Sequence, residues 1–338
     1  MANTMRAAVI SEPGGEFELV ERDIPDPSAG EVRISIDACG VCHSDAFVKE
    51  GTYPGVSYPR VPGNEIAGKI DQVGSDVTRL SAGERVGVGW HGGHCFRCEP
   101  CRRGDFLKCE NSEVTGLTHD GGYAEYAVVP AESVAHLPDS LSSDDAAPLL
   151  CAGVTTFNAL RNSGAMPGDL VAVQGVGGLG HLGIQYAEAA GYETVAISRT
   201  PQKESLALSL GAHHFIDTTN EDPAEKLQSL GGAKVVLATA PSSEAISQVI
   251  EGIGSGGAVV AAGVPAEPVP VNVQHLVGTV GSVEGWASGT ARDSQDTLEF
   301  SALSDITPEI ERYSLREVSA AYKRMIKNEA RFRVVIQP

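Results

Sequence analysis

The stretch "GDLVAVQGVGGLGHLGIQYAEAAGYETVAISRT" (168–200) constrains the fold more than any other part of this chain. The apolar run Leu170–Gln174 reads as a short, fully buried strand. Gly175, Gly177, Gly178 and Gly180 follow in a Gly-x-Gly-x-x-Gly pattern, helical spacing continues through "LGHLGIQYAEAA", and a second apolar strand, "TVAIS", comes next. Taken alone, the glycine pattern is weak evidence; inside strand–loop–helix–strand it predicts a dinucleotide-binding loop, with backbone close to a pyrophosphate at the helix N-terminus.

The same alternation continues. "HHFID", "AKVVLATA", "GAVVAAGV" and "GTVGSV" read as strands, and "KESLALSLG" and "EAISQVIEGI" as helices, over about 152–289. Strands alternating with helices at this spacing imply a parallel, doubly wound sheet, so the chain is an α/β protein. Residues 1–151 differ: "RAAVIS", "EVRISIDA", "IAGKIDQVG", "ERVGVG" and "YAEYAVV" are β-like and separated by Gly/Pro turns. A β-rich domain is expected there, with 290–338 (helix "LREVSAAYKRMIKN", strand "RFRVVI") returning to it. A length of 338 residues suits two domains.

At the end of "TVAIS" a carboxylate ordinarily binds the adenosine ribose. Here Ser198-Arg199-Thr200 and Lys203 stand in its place, and no acid appears before Glu204. A hydroxyl beside guanidinium and ammonium groups suits a 2′-phosphate, which favours NADP(H) over NAD(H). The alternative is that Arg199 stacks on adenine, or is solvated, while NAD(H) binds.

Seven cysteines are an odd number in a chain whose start, "MANTMRAAVISEPGG", lacks the apolar core of a signal peptide. That favours thiolate ligands over disulfides and a cytoplasmic location. "HCFRCEPCRRGDFLKCE" spaces Cys95, Cys98, Cys101 and Cys109 for one tetrahedral Zn²⁺, within a lobe of about 91–112. An iron–sulfur cluster competes, but the ferredoxin Cys-Pro ending is missing. Four thiolates leave no open position, so this zinc is expected to be structural. Interleaved Arg102, Arg103 and Lys108 would offset its charge, and His91 and His94 are not needed as ligands.

The net charge of −19 argues against nucleic acid or an anionic membrane as a partner, and no apolar run is long enough to cross a bilayer.

One acid stands out. Glu65, in "YPRVPGNEIAG", lies beside Asn64 in a segment otherwise poor in charge. Together with "CGVCHSD", the four-cysteine lobe, "GGYAEY", "APLLCAGVTTF", "GVGGLG" and "RFRVV", this segment resembles the zinc-containing alcohol dehydrogenases of the medium-chain dehydrogenase/reductase family over nearly the whole chain. "GWASGTARDSQDTLEF" is similar to a bacterial and fungal branch acting on small alcohols and aldehydes.

The resemblance implies a GroES-like β-rich catalytic domain, a Rossmann domain, a cleft between them and a second, catalytic zinc. It places the zinc ligands at Cys42, position 64 and Cys151, and there this chain departs from the pattern: a His is usual where Asn64 stands. Glu65 matches an acid that can enter the coordination shell, so Cys42, Glu65 and Cys151 could still provide three ligands. An amide oxygen is a harder, weaker donor than imidazole. Weakly held zinc, a sluggish zinc site and an empty site all remain open.

By the same resemblance Ser44 begins a proton relay, Asp45 steadies His43 or the ligands, and His43 contacts cofactor phosphate. His43 as a surface residue is the alternative. Phe47 replaces the relay's outer His, so the proton must leave by water, a ribose hydroxyl or His43. Thr155 is implied near the nicotinamide, Val264 beside the cofactor, Arg333 at the pyrophosphate, and Tyr53 and Trp90 in the substrate pocket, although either aromatic could be core.

The expected activity is alcohol dehydrogenase or aldehyde reductase on a small-molecule substrate, in a homodimer or homotetramer. Two rivals follow from Asn64: a reductase of activated C=C or C=N bonds without catalytic zinc, and a catalytically impaired cofactor-binding protein.

Overall fold

The computed structural model describes residues 4–338 and divides the chain into two units: residues up to Val154 with Gly289–Pro338, and Thr155–Ser288.

The first unit is β-rich. Its seven-stranded sheet is organised around the long strand Glu31–Val41, which pairs antiparallel with Ile66–Val73, Tyr126–Pro130 and Arg333–Gln337. Alternation explains its placement: Val32, Ile34 and Ile36 are buried, while Arg33, Ser35 and Asp37 fall on the other side of the pleat. Strand Arg333–Gln337 brings the chain end back, setting Val334 opposite Val41 and Ile336 opposite Cys39.

Thr4–Ile10 pairs with Phe17–Asp23 in a separate two-stranded ribbon. The second of these strands is absent from the sequence reading. Its residues "FELVERD" are mostly exposed, so it lacks the apolar run that marked the others.

The second unit is a six-stranded, wholly parallel sheet. In sequence order its strands are Leu170–Gln174, Glu193–Ser198, His214–Asp217, Ala233–Ala238, Ile253–Ala261 and Ser282–Gly285. Numbered one to six, they lie in the spatial order 3-2-1-4-5-6, the Rossmann arrangement. The strand order reverses between Leu170–Gln174 and Ala233–Ala238, where such folds bind their ligands, and the glycine loop leaves the first of these strands. A core of Ala172, Val195, Ile197, Val236, Ile246, Val249 and Val259 packs the sheet.

Several boundaries differ from the sequence reading by a few residues: the first unit extends to Val154, and the strands read at 233–240 and 257–264 run Ala233–Ala238 and Ile253–Ala261. The last strand runs Ser282–Gly285, because the helix Val273–Thr279 takes the first two residues of "GTVGSV".

Candidate active site and metal centres

Cys42 follows directly on strand Glu31–Val41, Asn64 and Glu65 precede strand Ile66–Val73, and Cys151 lies in the helical turn Leu149–Gly153. All belong to the first unit. The Sγ atoms of Cys42 and Cys151, 109 residues apart in sequence, approach to 3.5 Å. One ligand atom each from Cys42, Glu65 and Cys151 lies within 4.8 Å of the others. Asn64 and Glu65 are wholly buried. Asn64 Nδ2 is 3.8 Å from Cys151 Sγ, while Asn64 Oδ1 and Glu65 Oε2 have no hydrogen-bond partner.

Buried polar atoms without partners are costly. A Glu65 oxygen beside two thiols forms a donor set that a divalent metal would satisfy. The residues therefore fit a metal, with an S₂O set in place of one containing imidazole. Gly40 makes room for Glu65, since a Cβ there would lie 1.8 Å from Oε2.

Arg333 answers for the other Glu65 oxygen. Its Nη2 donates to Glu65 Oε1 and, at 3.2 Å, to the Val41 carbonyl, and the residue is 5% exposed. The guanidinium expected at a pyrophosphate is thus engaged with Glu65, one of the candidate ligands. Burial pushes the Glu65 carboxyl up to about 8 even though Arg333 pulls it down; a further cation would favour the carboxylate. The paired thiols are moved apart: Cys42 is lowered, chiefly by its bond with Cys151, and Cys151 is raised by the same bond.

Asp45 ties the ligand-bearing segments together. Its buried carboxylate accepts from Cys42 N at 2.8 Å, Gly63 N at 3.2 Å and the Tyr123 hydroxyl at 2.6 Å. Burial, then the nearby Cys42, push Asp45 up to about 7, against these three bonds. It therefore holds ligand backbone, while no bond to His43 is formed by it. Tyr123, fully buried, has no role in the sequence reading, because only the fold brings it to Asp45. Tyr123→Phe should release metal from this site to a chromophoric chelator about tenfold faster, with circular dichroism unchanged. An unaltered release rate would remove Tyr123 from this role.

The second metal candidate is the cysteine lobe. One ligand atom each from Cys95, Cys98, Cys101 and Cys109 lies within 4.8 Å of the others. Backbone N–H groups support the sulfurs: Cys95 N and Asn111 N donate to Cys109 Sγ at 3.4 and 3.3 Å. Backbone donors from Arg97 and Cys98 lower the Cys95 thiol to about 6. Arg103 and Lys108 are paired with Glu99 and Asp105, so their charges are spent locally. His91 and His94 stack on each other at 5.2 Å and lie outside the four-sulfur set. Burial first, then His94, hold His91 down to about 4, so it packs as a neutral ring.

In the second unit the glycine loop is held from two sides. His181 N and Nδ1 lie 3.1 and 2.9 Å from the Gly177 carbonyl, and Lys203 Nζ donates to the Val176 carbonyl at 2.6 Å. At Gly180 a Cβ would fall 1.7 Å from the Gly175 carbonyl oxygen, whereas at Gly177 it would meet open space. The first glycine lets the helix Gly180–Ala189 start against the strand end, and the second leaves backbone open to a ligand. Arg199 is exposed and has no ion pair among the described residues, while Ser198 Oγ accepts from Thr200 N at 3.1 Å. Asp217, beside Ser198 in the sheet, is occupied by Thr219 and Asn220.

Two family models match the chain: "Alcohol dehydrogenase GroES-like domain" over residues 28–139 and "Zinc-binding dehydrogenase" over 178–303. Alcohol dehydrogenase patD of Penicillium expansum is 42% identical over 334 residues, covering 99% of this chain and 98% of that one. The chain belongs to the zinc-type alcohol dehydrogenases of the medium-chain dehydrogenase/reductase family.

An alcohol dehydrogenase of Geobacillus stearothermophilus is 38% identical, with 98% of this chain and 99% of that one covered. The cobalt- and zinc-bound thermostable alcohol dehydrogenase of Pyrobaculum aerophilum superposes with a TM-score of 0.88 at 31% identity, covering 99% of this chain and 100% of that one. In this alcohol dehydrogenase Ser44 Oγ is buried and without a hydrogen-bond partner, and His43 is exposed. Tyr53 and Trp90 pack edge to face at 6.3 Å against an apolar cluster of the first unit. Thr155 is buried in helix Val154–Arg161, and Val264 is 82% exposed after strand Ile253–Ala261. No helix among the described residues is long and apolar enough to cross a membrane.

Proposed function

We propose that this alcohol dehydrogenase interconverts small alcohols and aldehydes with NADP(H) in preference to NAD(H). In this reading a catalytic zinc is held by Cys42, Glu65 and Cys151, with Asn64 where a His is usual. The convergence of the two thiols with a carboxylate oxygen of Glu65 carries the metal assignment. When bound, zinc supplies Lewis acidity to the carbinol or carbonyl oxygen, and the nicotinamide exchanges the hydride.

The chain's own residues supply the rest. Ser44 Oγ, free of other partners, takes the substrate proton. Phe47 cannot pass it on, so exposed His43, a ribose hydroxyl or water receives it. Arg333 neutralises Glu65, and Asp45 fixes the Cys42 and Gly63 backbone. A neutral amide in place of imidazole, together with Arg333 on Glu65, also favours a second reading, the zinc-free reductase of activated double bonds. Metal analysis separates them: two metals per chain for the dehydrogenase, one for the reductase.

The NADP(H) preference is supported by unpaired Arg199 and by Lys203, whose ammonium lies close enough to Arg199 to feel its charge. Arg199→Asp should lower kcat/KM with NADP(H) relative to NAD(H) by roughly ten- to a hundredfold, the loss of a charge-assisted contact. An unchanged ratio in initial-rate assays would favour the stacking or solvated role for Arg199.

A homodimer or homotetramer fits the exposed Val273, Val277 and Val280, which lie just before the edge strand Ser282–Gly285. A cytoplasmic setting fits seven cysteines free of disulfides.

A further inference from the structure

Phe47, Tyr53 and Trp90 form a closed triangle. Phe47 lies 6.0 Å from Tyr53 and 6.3 Å from Trp90, Tyr53 lies 6.3 Å from Trp90, and the ring planes are inclined by 44°, 68° and 80°. Behind the rings is a dry cluster: Tyr53 and Trp90 pack on buried Ile10, Val48, Val114 and Leu117. In front they are open. Phe47 is 38% exposed and the other two are partly exposed. A triangle serving only as core would bury its rings, and these are not buried.

Local structure ties this wall to both thiols. Phe47 is on the short helix Asp45–Lys49, its N–H donating to the Ser44 carbonyl at 2.9 Å, five residues from Cys42. Thr52 N donates to the Phe47 carbonyl at 3.1 Å, folding Tyr53 back onto the same turn. Trp90 follows Gly89, whose Cβ, were there one, would lie 2.3 Å from the carbonyl oxygen of Leu150, the residue before Cys151. Phe47 and Tyr53 therefore lie on the segment that follows Cys42, and Trp90 on a segment packed against the one that carries Cys151.

We propose that this wall selects alcohols and aldehydes whose reacting carbon is attached to an aromatic ring, with Phe47 as a specificity-determining residue. The inference rests on the dehydrogenase reading above. Inclined rings present both faces and edges, so a fourth aromatic ring can join them edge to face, an attraction beyond area burial that a saturated ring of equal size does not gain.

The test compares benzyl alcohol with cyclohexylmethanol on the holoenzyme. The aromatic alcohol should be favoured about tenfold in kcat/KM, and Phe47→Leu should reduce that ratio about threefold. Binding is read separately in a Trp286→Phe background: benzamide should quench Trp90 fluorescence at a concentration several-fold lower than cyclohexanecarboxamide does. A wild-type ratio near one, a ratio unmoved by Phe47→Leu, or equal quenching by the two amides would each overturn the proposal. Turnover of neither alcohol would instead defeat the dehydrogenase reading, and the amide titration alone would then decide the aromatic wall. That titration also decides it if Phe47→Leu does not fold.

Discussion

Asn64→His should raise both the metal content of the Cys42–Cys151 site and the kcat/KM for a primary alcohol, each by about tenfold or more. Imidazole nitrogen is a stronger donor to Zn²⁺ than an amide oxygen, and position 64 is wholly buried, with Cys151 Sγ 3.8 Å from the amide nitrogen. A ligand introduced there meets the metal instead of solvent. The four-cysteine lobe serves as an internal reference: after dialysis against a mild chelator, metal should rise from about one toward about two per chain. Content and turnover should rise together. If neither moves, position 64 is not at the metal and the role given to Glu65 goes with it.

Arg333→Leu should destabilise the protein by about 3 kcal/mol or more, read by denaturant unfolding without added metal. Glu65 is fully buried and Arg333 nearly so, and removing the guanidinium strands a carboxylate that water cannot reach. The double variant Arg333→Leu/Glu65→Met should recover much of that loss, because the cost lies in the unpaired charge and not in the missing contact. Added Zn²⁺ should also shrink the loss, since a cation bound at Glu65 replaces the lost one and stabilises the folded state by linkage. A loss below about 1 kcal/mol would show that the pair does not govern this site.

Much of the candidate site was legible because its chemistry is local in sequence. Cys95, Cys98, Cys101 and Cys109 fall within fifteen residues, and their spacing alone permits one tetrahedral centre. Gly175 to Gly180 follow a buried strand directly, so strand, turn and helix are read from one window. Convergence of Cys42 and Cys151 was reached only through family resemblance, for no local pattern joins residues 109 apart.

The strand Phe17–Asp23 was illegible for a different reason. It pairs by backbone with Thr4–Ile10 while burying little, and backbone pairing leaves no apolar signature.

Periodicity and ligand spacing are short-range properties of the chain, and they sufficed for the two-part organisation, the parallel sheet and the four-cysteine grouping. Where Arg333 points and what Tyr123 holds emerged from the fold alone. Strand Arg333–Gln337 docks beside Glu31–Val41 and delivers a cation to Glu65 across 268 residues, and Asp45 collects Tyr123 across 78. Those positions follow from sheet register and from the need to pair buried charge, which depend on which strands become neighbours.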